Sequence, residues 1–145
     1  MTDRLPSIPD LDSQRLTHLA QEMGLRMIVL FGSWAKGSPP PGPDSDIDIA
    51  ILGLPIEKYW DCARALQQVF SSHPTDVVRL EEADPLFRHE IMHRGILLWG
   101  DPDRFCEYRA YAYRDYTDAA DLFVLEQKLF AKKMKRLGEQ LRDSA

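Results

Sequence analysis

Two short apolar segments, each with polar chemistry at one end, constrain what this 145-residue chain can fold into more than any other feature. Met27-Ile28-Val29-Leu30-Phe31 is a continuous apolar run, too short for a helix, so it reads as a buried strand that ends at Gly32-Ser33. Asp46-Ile47-Asp48-Ile49-Ala50-Ile51-Leu52 begins in polar/apolar alternation, which predicts a second strand with Asp46 and Asp48 on one face. Between them Gly37 to Ser45 reads Gly-Ser-Pro-Pro-Pro-Gly-Pro-Asp-Ser, too poor in backbone donors for a ladder, so an exposed loop stiffened by polyproline geometry is expected. A third strand from Thr75 to Leu80 carries Asp76.

The remaining elements follow from periodicity and punctuation. Asp12 or Ser13 can cap a helix whose Leu16, Leu19, Ala20 and Met23 share a face, with Gly24 as its stop. Pro55 opens a helix to about Ser71, offering Tyr59, Ala63, Leu66, Val69 and Phe70 to a core. Asp84-Pro85 caps and starts another that ends before Gly95, and Ile96 to Trp99 makes a last short strand. The order α, β, β, α, β, α, β is an α+β (mixed α/β) fold, a small sheet flanked by helices. Residues 1–100 are expected to form one domain and residues 101–145 a C-terminal helical extension. In that extension Phe105, Tyr108 and Ala112 fall on one face, followed by Phe123, Phe130, Met134, Leu137 and Leu141 at near-heptad spacing. A helical tail of this length calls for a partner surface, with part of it folding back on the core.

Composition narrows the function. Net charge is −5, with the acidic excess in residues 1–100, which argues against a general nucleic-acid binder. Cys62 and Cys106 lack metal-ligand spacing and read as idle thiols. Met1-Thr2-Asp3-Arg4-Leu5-Pro6 lacks the apolar run of a signal peptide, and no stretch reaches membrane-spanning length, so a cytoplasmic location away from membranes is expected.

The polar ends of the strands carry the chemistry. Gly32 lets backbone approach phosphates, Ser33 adds a hydroxyl and an N–H at the start of a short helix through Trp34-Ala35-Lys36, and Lys36 adds positive charge. Asp46, Asp48 and Asp76 are hard oxygen ligands suited to two Mg²⁺ ions, which neutralise a triphosphate and polarise an attacking hydroxyl. Three such carboxylates repel one another, so at least one should have a raised pKa without metal. Taken alone, Gly-Ser is a turn and Asp-x-Asp a solvated strand edge. Their conjunction, in this element order, points to nucleotidyl transfer.

Three other features compete for attention. His89-Glu90-Ile91-Met92-His93 matches the zinc-protease pattern H-E-x-x-H, but any third ligand would have to be Asp115 or Asp118, and Gly95 ends the helix at once. The two histidines are instead expected on a solvent-facing or partner-facing surface. Lys128 to Arg136 reads as a solvated helix face rather than an RNA site. Tyr108, Tyr111, Tyr113 and Tyr116 suit either an interface or packing of the tail.

Gly32-Ser33-Trp34-Ala35-Lys36-Gly37, then Ser45-Asp46-Ile47-Asp48-Ile49-Ala50-Ile51, then Asp76-Val77-Val78 resembles the minimal nucleotidyltransferase (MNT) family of the DNA polymerase β superfamily, over about residues 12–100. Gly95 to Gly100 resembles the close of that domain, and the tail resembles that of MntA-type antitoxins, which pair with HEPN-domain ribonuclease toxins. The resemblance implies a nucleotidyltransferase fold in which Gly32 and Ser33 contact the triphosphate, with Lys36 beside them. It also implies that Asp46, Asp48 and Asp76 are the catalytic, Mg²⁺-binding carboxylates. AMP would pass from ATP to a toxin tyrosine, silencing a HEPN-family partner in a hetero-oligomer. The family often has Arg where Lys36 stands, and residues 38–44 form a longer loop than usual. Transfer to a small-molecule hydroxyl and neutralisation by binding alone are the alternatives.

Overall fold

The computed structural model describes residue 8 and residues 11–36, 41–42 and 44–144. Most of the proline-rich segment and most of the first ten residues therefore lie outside the described residues.

The two apolar segments pair as anticipated. β1 (Met27–Phe31) lies at the centre of a four-stranded sheet, antiparallel to β2 (Ile47–Leu52) on one side and to β4 (Ile96–Gly100) on the other. β3 (Thr75–Arg79) runs parallel to β2 and forms one edge, giving the order β3-β2-β1-β4. The strand period of two then sorts side chains to two cores. Ile28, Leu30, Ile47, Ile49, Ile51 and Val77 face one cluster, whereas Met27, Val29, Ala50 and Leu52 face the other.

The first cluster is closed by α1 (Ser13–Met23) and α3 (Tyr59–Val69), which bury Leu16, Leu19, Ala20, Cys62, Leu66 and Val69. Asp12, rather than Ser13, caps α1: its carboxylate accepts from the Gln14 and Arg15 N–H groups, and Gly24 stops the helix at φ 68°. Pro55 opens a 3₁₀ turn (Ile56–Lys58), not α-helix, and α3 ends two residues short of Ser71. Burial pushes the Cys62 thiol up to about 11, so it is inert, while Cys106 is exposed.

The second cluster is closed by α4 (Pro85–Arg94) and the start of α5 (Pro102–Asp143). β3 stops at Arg79 because Leu80 turns inward as a buried residue of a 3₁₀ turn (Leu80–Glu82). Asp84 caps α4 by accepting from the Phe87 N–H. Arg88 ties the layer together, donating to the Leu80 carbonyl (3.0 Å), the Glu81 carbonyl (3.3 Å) and the Asp115 carboxylate (3.0 Å). Arg109 of α5 donates to the Met92 carbonyl at 2.8 Å. Past Tyr116 the same helix continues with its apolar stripe exposed, Phe123 and Phe130 included. Among the described residues no helix is long and apolar enough to cross a membrane.

Candidate active site

The polar strand ends meet at one end of the sheet. The ladder places Phe31 opposite Asp48 and Asp48 opposite Asp76, so these three share the sheet face that α4 and α5 cover farther along. Asp46 departs from the sequence reading: β2 starts at Ile47, leaving Asp46 as the exposed residue just before it. The reason is Pro74. Its carbonyl accepts from the Ile47 N–H at 2.8 Å, but it has no N–H with which to extend the ladder by another residue.

Gly32 sits at φ 75°, and a Cβ added there would fall on the Asp48 carboxylate. Glycine is thus required twice over, by its backbone angle and by the space the carboxylate occupies. The chain then turns into α2 (Ser33–Lys36), whose Ala35 and Lys36 N–H groups bond the Gly32 carbonyl at 3.1 and 3.2 Å. The Trp34 indole N–H donates to the Ser45 carbonyl at 3.2 Å and its ring stands edge-on to His73, fixing the base of the loop that leads to Asp46.

Burial raises the Asp48 pKa, and the charges of Asp76 and Asp46 raise it further. The repulsion anticipated among the three aspartates thus falls on the most enclosed of them. Among the described residues, no three His, Cys, Asp or Glu side chains close into a ready metal cage. That arrangement still suits Mg²⁺, which is commonly held by one or two carboxylates together with substrate phosphates. An all-oxygen donor set, crowded with like charge beside a cleft that Gly32 lines, is where such a hard cation would sit.

The cleft in question, about 530 Å³, runs from Phe31, Gly32 and Lys36 along α4, past Phe87, His89, His93 and Arg94, to Tyr116. Sequence reasoning put Lys36 here but missed the α4 side. The H-E-x-x-H pattern drew attention to the right helix for the wrong reason. Of the two histidines expected on a solvent-facing or partner-facing surface, His93 is exposed, while His89 is half-buried, its ring stacked on Tyr116 of α5 with centroids 4.8 Å apart and planes 7° apart. Asp115, a candidate third zinc ligand, is committed to Arg88. The tyrosines divide: Tyr108 packs against the second core cluster, Tyr116 and the exposed Tyr113 meet the His89 ring of α4, and Tyr111 is exposed beside Tyr108.

Comparison with known proteins agrees with this geometry. Residues 14–104 match the family described as Polymerase beta, Nucleotidyltransferase. The chain is 30% identical over 123 residues to the protein adenylyltransferase MntA of Aphanizomenon flos-aquae, covering 75% of this chain and 80% of that protein. It is 34% identical over 79 residues to the MntA protein adenylyltransferase of Shewanella oneidensis, covering 52% of this chain and 55% of that one. Among solved structures, a toxin–antitoxin chain crystallised with AMP-PNP superposes with a TM-score of 0.65 at 25% identity, over 86% of this chain and 99% of that one. A second, from a complex of tri-AMPylated Shewanella oneidensis HEPN toxin with an MNT antitoxin, shares the fold with a TM-score of 0.59 at 23% identity, over 84% of this chain and 95% of that one. The chain belongs to the polymerase beta nucleotidyltransferase family, alongside the MntA protein adenylyltransferases.

Proposed function

We propose that this enzyme is an ATP- and Mg²⁺-dependent protein adenylyltransferase that works in the cytoplasm as an antitoxin, transferring AMP to a tyrosine of a HEPN-family toxin. The observation that carries the reading is the in-register pair Asp48 and Asp76 beside the Gly32 turn. The names of the MntA relatives and of the HEPN toxin complexes support the acceptor class.

In this reading residues 1–100 hold the chemistry, and residues 101–145 dock the partner while their first turns complete the core. Gly32, whose missing side chain makes way for the Asp48 carboxylate, brings its backbone to the phosphate oxygens, Ser33 donates to them, and Lys36 offsets their charge. Mg²⁺ held by Asp46, Asp48 and Asp76, as two ions, would neutralise the triphosphate and polarise the attacking hydroxyl. The phenol oxygen of the acceptor forms the bond to the α-phosphorus while the bond to the β-phosphate oxygen breaks, releasing pyrophosphate. The phenol proton passes to a carboxylate, a role that exposed Asp76 on the edge strand would fill.

The test is transfer of label from ATP to the purified HEPN-type toxin in the presence of Mg²⁺, with Asp46→Asn and Asp48→Asn alongside. Label on a toxin tyrosine, absent with both variants, is expected. Retained transfer by either variant would sink the assignment, and label only on a small molecule would move the acceptor class.

A further inference from the structure

The cleft beside Gly32 is one of two that meet at Phe87. The second, about 500 Å³, opens at the free edge of β3 and is walled by Ile56, Tyr59, Trp60, Val78, Ala83 and Phe87. The Phe87 ring, edge-on to Phe31 at 5.8 Å, separates the two. The walls of this groove are largely carbon, yet Ile56 is 58% and Trp60 73% exposed, an unusual position for an indole whose ring partner among the described residues is Tyr59, in edge contact.

The groove lies along the strand that carries Asp76. Val78 follows Asp76 by two residues on the same strand, so both point to the same sheet face. Tyr59 ties the groove wall to that strand, its hydroxyl donating to the Val77 carbonyl, next to Asp76, at 2.6 Å. The two clefts also differ in sign. Lys36 and Arg94 outnumber Glu90 around the one at Gly32, whereas Glu82 and Asp84 border the groove, with Arg79 engaged by Glu82. A triphosphate is favoured in the first and repelled from the second. In an in-line displacement the attacking and leaving oxygens lie on opposite sides of the phosphorus. With pyrophosphate leaving on the Gly32 side, the acceptor arrives on the Asp76 side, where the groove is.

We propose that this groove seats the acceptor protein, taking an apolar or aromatic side chain close to the modified hydroxyl between Trp60 and Ile56. The assignment rests on the adenylyltransferase reading above. It makes Trp60 an anchor that sets which hydroxyl is modified, a role that exposed aromatics fill at interfaces.

Two measurements test it, both on the full chain with the purified HEPN-type toxin as probe. In steady-state transfer, Trp60→Ala combined with Ile56→Ala should raise KM for the toxin on the order of tenfold or more while KM for ATP and kcat hold, and Trp60→Phe should restore most of the loss. In photo-crosslinking without ATP, benzoylphenylalanine at position 60 should capture the toxin, and the same group at the exposed position of His18 on α1 should not. An unchanged toxin KM without a crosslink overturns the proposal. So does a rise confined to the KM for ATP, which would make the groove a nucleobase pocket. Wild-type protein that transfers no AMP would refute the adenylyltransferase reading, and the crosslink would still decide whether the groove docks the toxin.

Discussion

The two ends of the central sheet are built from the same strands and serve opposite purposes. Along the strands Ile28, Val29, Leu30, Ile49, Ala50 and Ile51 are completely buried between two helical layers. One or two residues farther on, Phe31, Asp48 and Asp76 stand across from one another, and the covering helices give way to clefts. Apolar burial stabilises the first end at roughly 25 cal/mol per Å² removed from water. The second concentrates like charge in partly desolvated surroundings, which destabilises the metal-free fold. The lesson is that the stability of one end holds the strained chemistry of the other in register.

This contrast can be broken most severely at Asp48. Asp48→Asn should abolish transfer while raising the melting temperature of the metal-free protein at neutral pH. The sign follows from linkage: a carboxyl with a raised folded pKa contributes its stability below the unfolded value of 3.8 and loses it as pH rises through the folded value. The advantage of Asn should therefore shrink in acid, and melting curves from neutral pH down to about pH 4 would check it. A variant less stable than wild type at neutral pH would show that the Asp48 charge is not a burden.

At the opposite end Leu30→Ala, at a fully buried site, should cost about 3–4 kcal/mol in urea unfolding, with activity lost only in proportion to unfolded protein. Gly32→Ala comes next, at about 1–3 kcal/mol from its positive φ and the collision with Asp48. Unlike Leu30→Ala, it should lose transfer even where it is fully folded, and Asp48→Ala in the same chain should recover part of the stability in a double-mutant cycle. The smallest effect is expected at Thr75, which pairs with Ile47 at the site end and whose buried hydroxyl has no hydrogen-bond partner among the described residues. Thr75→Val should be neutral or stabilising by up to about 1 kcal/mol, again by urea unfolding.

Much of this was legible in the chain. The strand at Met27 to Phe31, the Asp84-Pro85 start of α4, the Gly24 stop and the long terminal helix all carry local signals, because caps, prolines and apolar runs act over a few residues. The misreadings were equally physical. Asp46 was placed inside a strand because alternation alone cannot reveal that its neighbour across the ladder is Pro74. The stacking of Tyr116 on half-buried His89, 27 residues earlier, is likewise something nothing local indicates. Within α5 the periodicity at Phe105 and at Phe130 looks alike, yet one side chain is buried and the other 63% exposed.

Sequence alone determined the ingredients: a glycine turn after a buried strand, three aspartates in or next to strands, and a nucleotidyltransferase element order. Those depend on backbone geometry and two-residue periodicity, which are local. Only the tertiary structure decided that Asp48 and Asp76 stand side by side in register, that Gly32 closes against one of them, and that α4 divides the surroundings into a basic cleft and an apolar groove. These are contacts between segments distant in the chain, set by parallel pairing at a sheet edge and by how two helical layers bury its faces, and no local pattern encodes them.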